Sequence, residues 1–231
     1  MTYPIEKRLM SGLPNYALTA IKYVIAHESG NPKNCGPNAL ENEIAYMNRN
    51  KAEAFTSHWV GGGCKIVQIA PVGKLQYGCG PKGNPLSYAQ VELARTNDKE
   101  QFKKDYASYI WLLRELAKDA EIPVILDGTG NGIKSHRWIT DNLKGTTHRD
   151  PYSYLASMGI SEAQFKLDIL NGLEEVIEAK FTEAKVMLND AKTIPAVIID
   201  GRTHVQVREL AELLGLKLLI TTRVKQQNYM R

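Results

Sequence analysis

Residues 21 to 27 read IKYVIAH, an apolar, β-rich run closed by the turn cluster ESGNP. A run of this kind is a buried strand, with His27 at its C-terminal end. Around it, strand and helix patterns alternate. PNALENEIAYMNRN (37–50) places Leu40, Ile44 and Met47 at helical spacing, and KKDYASYIWLLRELAKDAEI (103–122) carries Tyr106, Ile110, Leu113 and Ala117 on one stripe. SHWVGGGCKIVQIAP reads as a hairpin about a glycine turn, SYAQVELAR as a strand, and IPVILD as a further short strand leading into the loop GTGNG. The pattern is α/β: a central mixed β-sheet flanked by helices, followed by a small C-terminal α+β domain. SEAQFKLDILNGLEEVIEAKF is helical and bridges to that tail. In the tail AKVMLND, PAVIID, GRTHVQV and LKLLITT are strands, and RELAELLG is a helix stopped by Gly215. The expected division is a catalytic domain over 1–170, a helical linker over 171–183 and the small domain over 184–231.

Composition narrows the class. The chain has 231 residues, 43% hydrophobic and 23% charged, enough for one well-cored domain and an appendage. No apolar run approaches a membrane span, so no membrane insertion is expected. The N-terminus MTYPIEKRLMSGLPNY has no apolar signal core, which predicts synthesis without a conventional secretory signal. Cys35, Cys64 and Cys79 share no CxxC spacing and read as reduced thiols. Residues 1–180 hold 21 Lys/Arg against 20 Asp/Glu, and residues 181–231 hold 8 against 5. Three of the four net positive charges therefore lie in the tail. That excess suits a solvated surface or an anionic partner, and nothing in it points to nucleic acid.

Candidate chemistry concentrates in SHRWITDNLKGTTHRDPYSYL. His136 and Asp150 lie within it, and His27 ends the buried strand far upstream. Two imidazoles and a carboxylate are a ligand set that a catalytic Zn2+ takes when one position stays open for water. His136 reads as a loop residue after GTGNG. His148 and Asp150 alternate around Arg149 and face the same side if the stretch is extended. His58 reads as structural or as lining a groove, and His204 as a strand residue of the tail. Two other readings are weaker. GTGNG lacks the pattern of a phosphate-binding loop, and a Cys-His hydrolase built on Cys35 with His58 or His136 has no assured activating helix terminus.

YVIAHESGNP, TSHWVGGGCKIVQIAP, YAQVELAR and SHRWITDN…THRDPYSYL occur in an order that resembles the zinc-dependent N-acetylmuramoyl-L-alanine amidases of the amidase-2 and peptidoglycan-recognition-protein superfamily. More narrowly they resemble amidase endolysins of phages that infect Gram-positive bacteria, over about residues 16 to 170. The resemblance implies one zinc per chain on His27, His136 and Asp150, with Glu92 of QVEL as general base. It puts His148, where the family often has a Lys, as stabiliser of the oxyanion. It implies Gram-positive peptidoglycan as substrate, and host cytoplasm followed by cell wall as the place of action, after release by a holin. The substrate-binding residues are not identified. The tail is similar to the small domain named for its likeness to the N-terminal domain of copper amine oxidases. It has no copper ligand cluster, and wall targeting or homodimer formation is its expected role. The alternatives are a cytoplasmic or autolytic bacterial amidase of the same chemistry and a non-catalytic peptidoglycan-binding module.

Overall fold

The computed structural model describes residues 2–173, 182–188, 192–199 and 202–215. The chain divides into two compact units, 1–175 and 176–231.

In the first unit, β1 (Ile5–Lys7), β2 (Tyr23–Glu28), β3 (His58–Gly61), β4 (Lys65–Gln68), β5 (Ser87–Leu93) and β6 (Gly132–Ser135) form one sheet in the order β1-β4-β3-β5-β2-β6. It is mixed: β3 and β4 are antiparallel, and every other pair is parallel. The helices are α1 (Ala39–Arg49), the short α2 (Gly80–Gly83), α3 (Lys99–Asp119), α4 (His136–Asn142), α5 (Tyr152–Ser157) and α6 (Glu162–Asn171). The expected α/β architecture is the one observed.

The central strand β2 is buried along its whole length, as an apolar strand flanked on both sides by parallel neighbours and covered on both faces has to be. Val24 and Ala26 look to one face. They share a core with Ala89, Val91, Leu93 and the α3 stripe of Tyr106, Ile110, Leu113 and Ala117. Tyr23 and Ile25 look to the other, where they pack with Cys79 and Ile139. His27 continues that second face, so the alternation of the strand carries it away from α3 and the main core. Helix α3 begins at Asp98, whose carboxylate accepts from the N–H groups of Glu100 at 2.8 Å and Gln101 at 3.0 Å. Two turns in, buried Asp105 accepts from Gly63 N–H (2.7 Å) and Cys64 N–H (2.6 Å) and fixes the β3–β4 hairpin. Gly62 and Gly63 both have positive φ in that turn, at 63° and 83°, which glycine takes without steric cost.

The sequence expectation fails at the sheet edge. IPVILD is not a strand: only Leu126 makes a bridge, to Ile133. Glu121 and Asp127 both have left-handed φ (54° and 52°), which interrupts extended backbone on either side, and Pro123 has no N–H to give a ladder. The edge strand is GIKS instead, directly after the glycine-rich loop. It starts at Gly132, where a Cβ would come within 2.8 Å of the Ile125 carbonyl oxygen.

The second unit contains an antiparallel sheet β7-β8-β9 (Thr182–Leu188, Lys192–Ile199, Arg202–Val205) followed by α7 (Val207–Leu213). Gly215 beyond α7 has φ 67°, and Ile194, Ala196 and Ala211 are buried. His204 lies on β9 and is exposed. The helix expected to bridge to the tail ends at Asn171, where Gly172 has φ 80°, and Thr182 and Glu183 of the expected linker belong to β7; residues 174–181 and the LKLLITT strand fall outside the described residues.

His58 is buried on β3, with Nδ1 3.0 Å from the Ser57 hydroxyl. Burial lowers its pKa to about 4. A histidine buried neutral contributes stability that is complete above its unfolded value of ~6.5 and is lost as pH falls from there through the folded value. His58→Gln should therefore flatten the acid side of the stability profile, removing about 3 kcal/mol of the loss between pH 7 and pH 4. Urea unfolding of both proteins at those two pH values checks this. Parallel profiles would contradict it.

Candidate metal centre

Three elements meet at the end of β2. His27 is the penultimate strand residue and is 2% exposed. His136 is the first residue of α4, not a loop residue as expected from the glycine-rich lead-in. Ser135 ends β6 and caps the helix, its hydroxyl accepting from Trp138 N–H at 3.0 Å. This strand-to-helix switch beside β2 turns the imidazole toward His27, with ring centroids 4.6 Å apart and planes at 86°. Asp150 precedes α5, and Arg137 N–H donates to its main-chain oxygen at 3.2 Å.

The Asp150 carboxylate lies between the two rings. Oδ2 is 3.1 Å from His27 Nδ1, and Oδ1 is 3.1 Å from His136 Nδ1. One ligand atom from each of the three residues falls within 4.8 Å of the others. The far ring nitrogens are engaged as well: His27 Nε2 is 3.1 Å from Gln90 Oε1, and His136 Nε2 is 3.0 Å from the Thr146 hydroxyl. The Gln90 contact has a consequence. An amide oxygen can only accept, so His27 Nε2 carries a proton, and Nδ1, which faces Asp150, is the ring nitrogen left to ligate a metal ion. Lone pairs converging in this way need a cation among them, either protons or a metal ion. Two imidazoles and a carboxylate held by their outer partners fit zinc as a donor set.

The electrostatics agree with a positive charge at this point. Burial by itself would raise the Asp150 carboxyl, but hydrogen bonds to His136 and His27 overcome it and hold it well below the ordinary carboxylate range. His136 is pushed down, first by burial and also by His27, with Asp150 opposing. Glu28, next to His27, takes no part, because Arg95 binds both its oxygens at 2.5 and 2.7 Å.

Glu92 stands on β5 in register with His27. Its Oε2 is buried without a hydrogen-bond partner. Burial, then Asp150, raises its carboxyl well above the usual value. His148 is the most open of the candidates, its side chain 72% exposed. Its ring stacks on His136 at 5.0 Å, and its Nδ1 is 4.0 Å from Asp150 Oδ1. A groove of about 1120 Å³ passes the centre, lined by His136, His148, Thr146, Tyr77, Pro81 and Glu53 among others. His27, Asp150 and Glu92 are not among its lining residues. Cys35 Sγ instead meets Asn97 Nδ2 at 2.8 Å, and His58 is engaged with Ser57, which leaves a Cys35–His58 pair unsupported. Trp59 and Tyr88 belong to the cores. Gln90 and Thr146 carry no local sequence signal for the role they take here. Only the pairing of β5 with β2 and the fold of the 143–150 segment bring them to the rings.

Gln90→Ala frees the His27 ring to change tautomer, so affinity for Zn2+ should fall roughly 10- to 100-fold, the usual effect of losing an outer partner of a ligand. Competition with a chromogenic chelator measures this, and unchanged affinity would show that Gln90 does not set the tautomer.

No protein-family model matches the chain. It is 48% identical over 171 residues to the endolysin of Listeria phage A511, covering 72% of this chain and 49% of that one. It is 42% identical over 173 residues to the lytic amidase of Streptococcus pneumoniae phage HB-3, covering 73% and 53% respectively. The chain thus spans about half the length of these two phage proteins. Among solved structures, Staphylococcus aureus hydrolase AmiA, determined in complex with its ligand, superposes with a TM-score of 0.66 at 26% identity. That match covers 74% of this chain and 83% of AmiA. The mixed α/β architecture built around this centre is one that AmiA shares.

Proposed function

We propose that the chain is a phage endolysin of the amidase-2 superfamily, a zinc-dependent N-acetylmuramoyl-L-alanine amidase acting on Gram-positive peptidoglycan. The observation that carries this reading is the convergence of His27, His136 and Asp150 beside an open groove. Likeness to the Listeria phage endolysin and the pneumococcal phage lytic amidase supports it. An endolysin of this kind waits in the host cytoplasm and reaches the wall after holin release.

The amide between the lactyl group of muramic acid and L-alanine is a poor electrophile. Zinc, when bound by His27, His136 and Asp150, supplies Lewis acidity toward the carbonyl and toward water. The protein residues do the rest. Glu92 takes a proton from the attacking water and returns it to the leaving amine. Its Oε2 is buried with no hydrogen-bond partner to compete for that proton. Burial and Asp150 raise its carboxyl above the ordinary value, and positive charge at the centre acts in the opposite direction. His148 lies in the groove, stacked on His136, and donates to the developing oxyanion. Three of the chain's four net positive charges lie in residues 181–231, with 8 Lys/Arg against 5 Asp/Glu. That unit would hold the enzyme to anionic wall polymers, or pair two copies.

Digestion of purified Gram-positive walls should release new N-terminal L-alanine and no new reducing sugar ends. New reducing ends would mean a glycosidase, and new D-amino-acid termini an endopeptidase. Glu92→Ala and His148→Ala should each keep zinc and lose at least ~100-fold in rate, and wild-type rates would reject their roles. A chain ending at Lys180 should cleave a soluble muramoyl-peptide normally yet sediment less with walls at low salt, where screening is weak. Equal sedimentation would leave pairing of copies as the role of the tail.

A further inference from the structure

The mechanism above leaves the carboxylate of Asp127 unused. Asp127 lies in the turn before β6, at φ 52°. Its Oδ1 accepts from Ser135 N–H at 2.7 Å, and its Oδ2 accepts from the Ser135 hydroxyl at 2.8 Å and from the Tyr152 hydroxyl at 2.5 Å. Ser135 immediately precedes His136, and Tyr152 is two residues beyond Asp150. One side chain therefore ties together the two segments that deliver two of the three candidate ligands.

The surroundings make this tie rigid. The Ser135 hydroxyl donates to Asp127 and accepts from Trp138 N–H, so the orientation of the first turn of α4, and of His136 in it, is fixed from Asp127. Tyr152 is buried, and the Arg137 guanidinium lies 3.9 Å over its ring. Asp127 itself is held by its own N–H, which donates to Ile133 O at 3.0 Å. The next carbonyl, Gly128 O, accepts from Lys134 Nζ at 2.5 Å. Lys134 is buried, with its ammonium 4.5 Å over the Trp138 ring. A buried ammonium in this setting keeps an acceptor because losing it costs more than an ordinary hydrogen bond. The turn at 127–128 is thus fastened to two consecutive residues of β6, Lys134 and Ser135, whose side chains project to opposite faces.

We infer that Asp127 is a positioning residue of the metal centre, holding His136 and Asp150 in the relative placement that two ligands to one ion require. The inference rests on the zinc reading above and adds a residue that never touches the ion. A turn clamp with no bearing on the centre would change stability alone. A positioning role changes zinc affinity out of proportion to stability.

The test is zinc affinity of the full-length protein by chelator competition, with thermal unfolding of the ion-free protein alongside. Asp127→Ala should bind zinc roughly 10- to 100-fold more weakly, in the range for outer partners of ligands. Tyr152→Phe removes one bond while keeping the buried ring, and should show a smaller loss with little change in unfolding. Asp127→Asn should fall between wild type and Asp127→Ala, because its oxygen can still accept from Ser135 and its amide can donate to the Tyr152 oxygen. Leu113→Ala, a core truncation on α3, should lower stability and leave zinc affinity unchanged. Wild-type affinity in both Asp127→Ala and Tyr152→Phe would overturn the inference, as would an equal loss in Leu113→Ala. Should Asp127→Ala fail to fold, Tyr152→Phe decides. Failure of the wild-type chain itself to bind zinc would sink the zinc reading and the inference with it, an outcome separable from the others in the first titration.

Discussion

A carboxylate buried between two imidazoles, each presenting a ring nitrogen to it at 3.1 Å, requires a positive charge among the three groups. The surroundings of Asp150 follow from that requirement. Gln90 and Thr146 occupy the far nitrogens of His27 and His136, so each ring is held from both sides. Glu28, which could compete for the same charge, is paired with Arg95. Glu92 lies close enough for Asp150 to raise its carboxyl, so the charge at the centre and the protonation of the candidate base are coupled.

The sheet makes this arrangement possible. A parallel strand covered on both faces gives one residue at its C-terminal end a place between main core and solvent, and in β2 that residue is His27. Strand β5 on one side brings Gln90 and Glu92 to the same face in register, and β6 on the other ends where α4 begins with His136. The α3 core behind them is large and apolar, with Tyr109 donating to the His27 main-chain oxygen at 2.8 Å. Truncation in such a core costs ~2–5 kcal/mol of fold stability, whereas the relative placement of the ligands is set by the polar contacts around them.

Much of this was legible in the residues. The strands YVIAH, HWVG, KIVQ and YAQVEL and the stripe on α3 follow from apolar periodicity alone, because each buries a continuous face. What failed has a physical cause. IPVILD has the composition of a strand but carries Pro123 and is bounded by left-handed residues, whereas GIKS has little apolar character and pairs because Gly132 lets two backbones approach. That error also hid the helix start at His136. His27, His136 and Asp150 were nameable from residue type and resemblance. Gln90, Thr146 and Asp127 were not, since a glutamine, a threonine and a loop aspartate acquire their partners only through long-range pairing.

The central claim is that His27, His136 and Asp150 form one zinc site. X-ray absorption at the zinc edge, on the full-length protein loaded with one equivalent of Zn2+, tests it most directly. The account predicts a nitrogen and oxygen ligand shell with imidazole scattering and no sulfur, and loss of that signature in His27→Ala. A sulfur-containing shell would place the ion on Cys35, Cys64 or Cys79, and a solution-like spectrum of free zinc would mean no site at all. Either result contradicts the account.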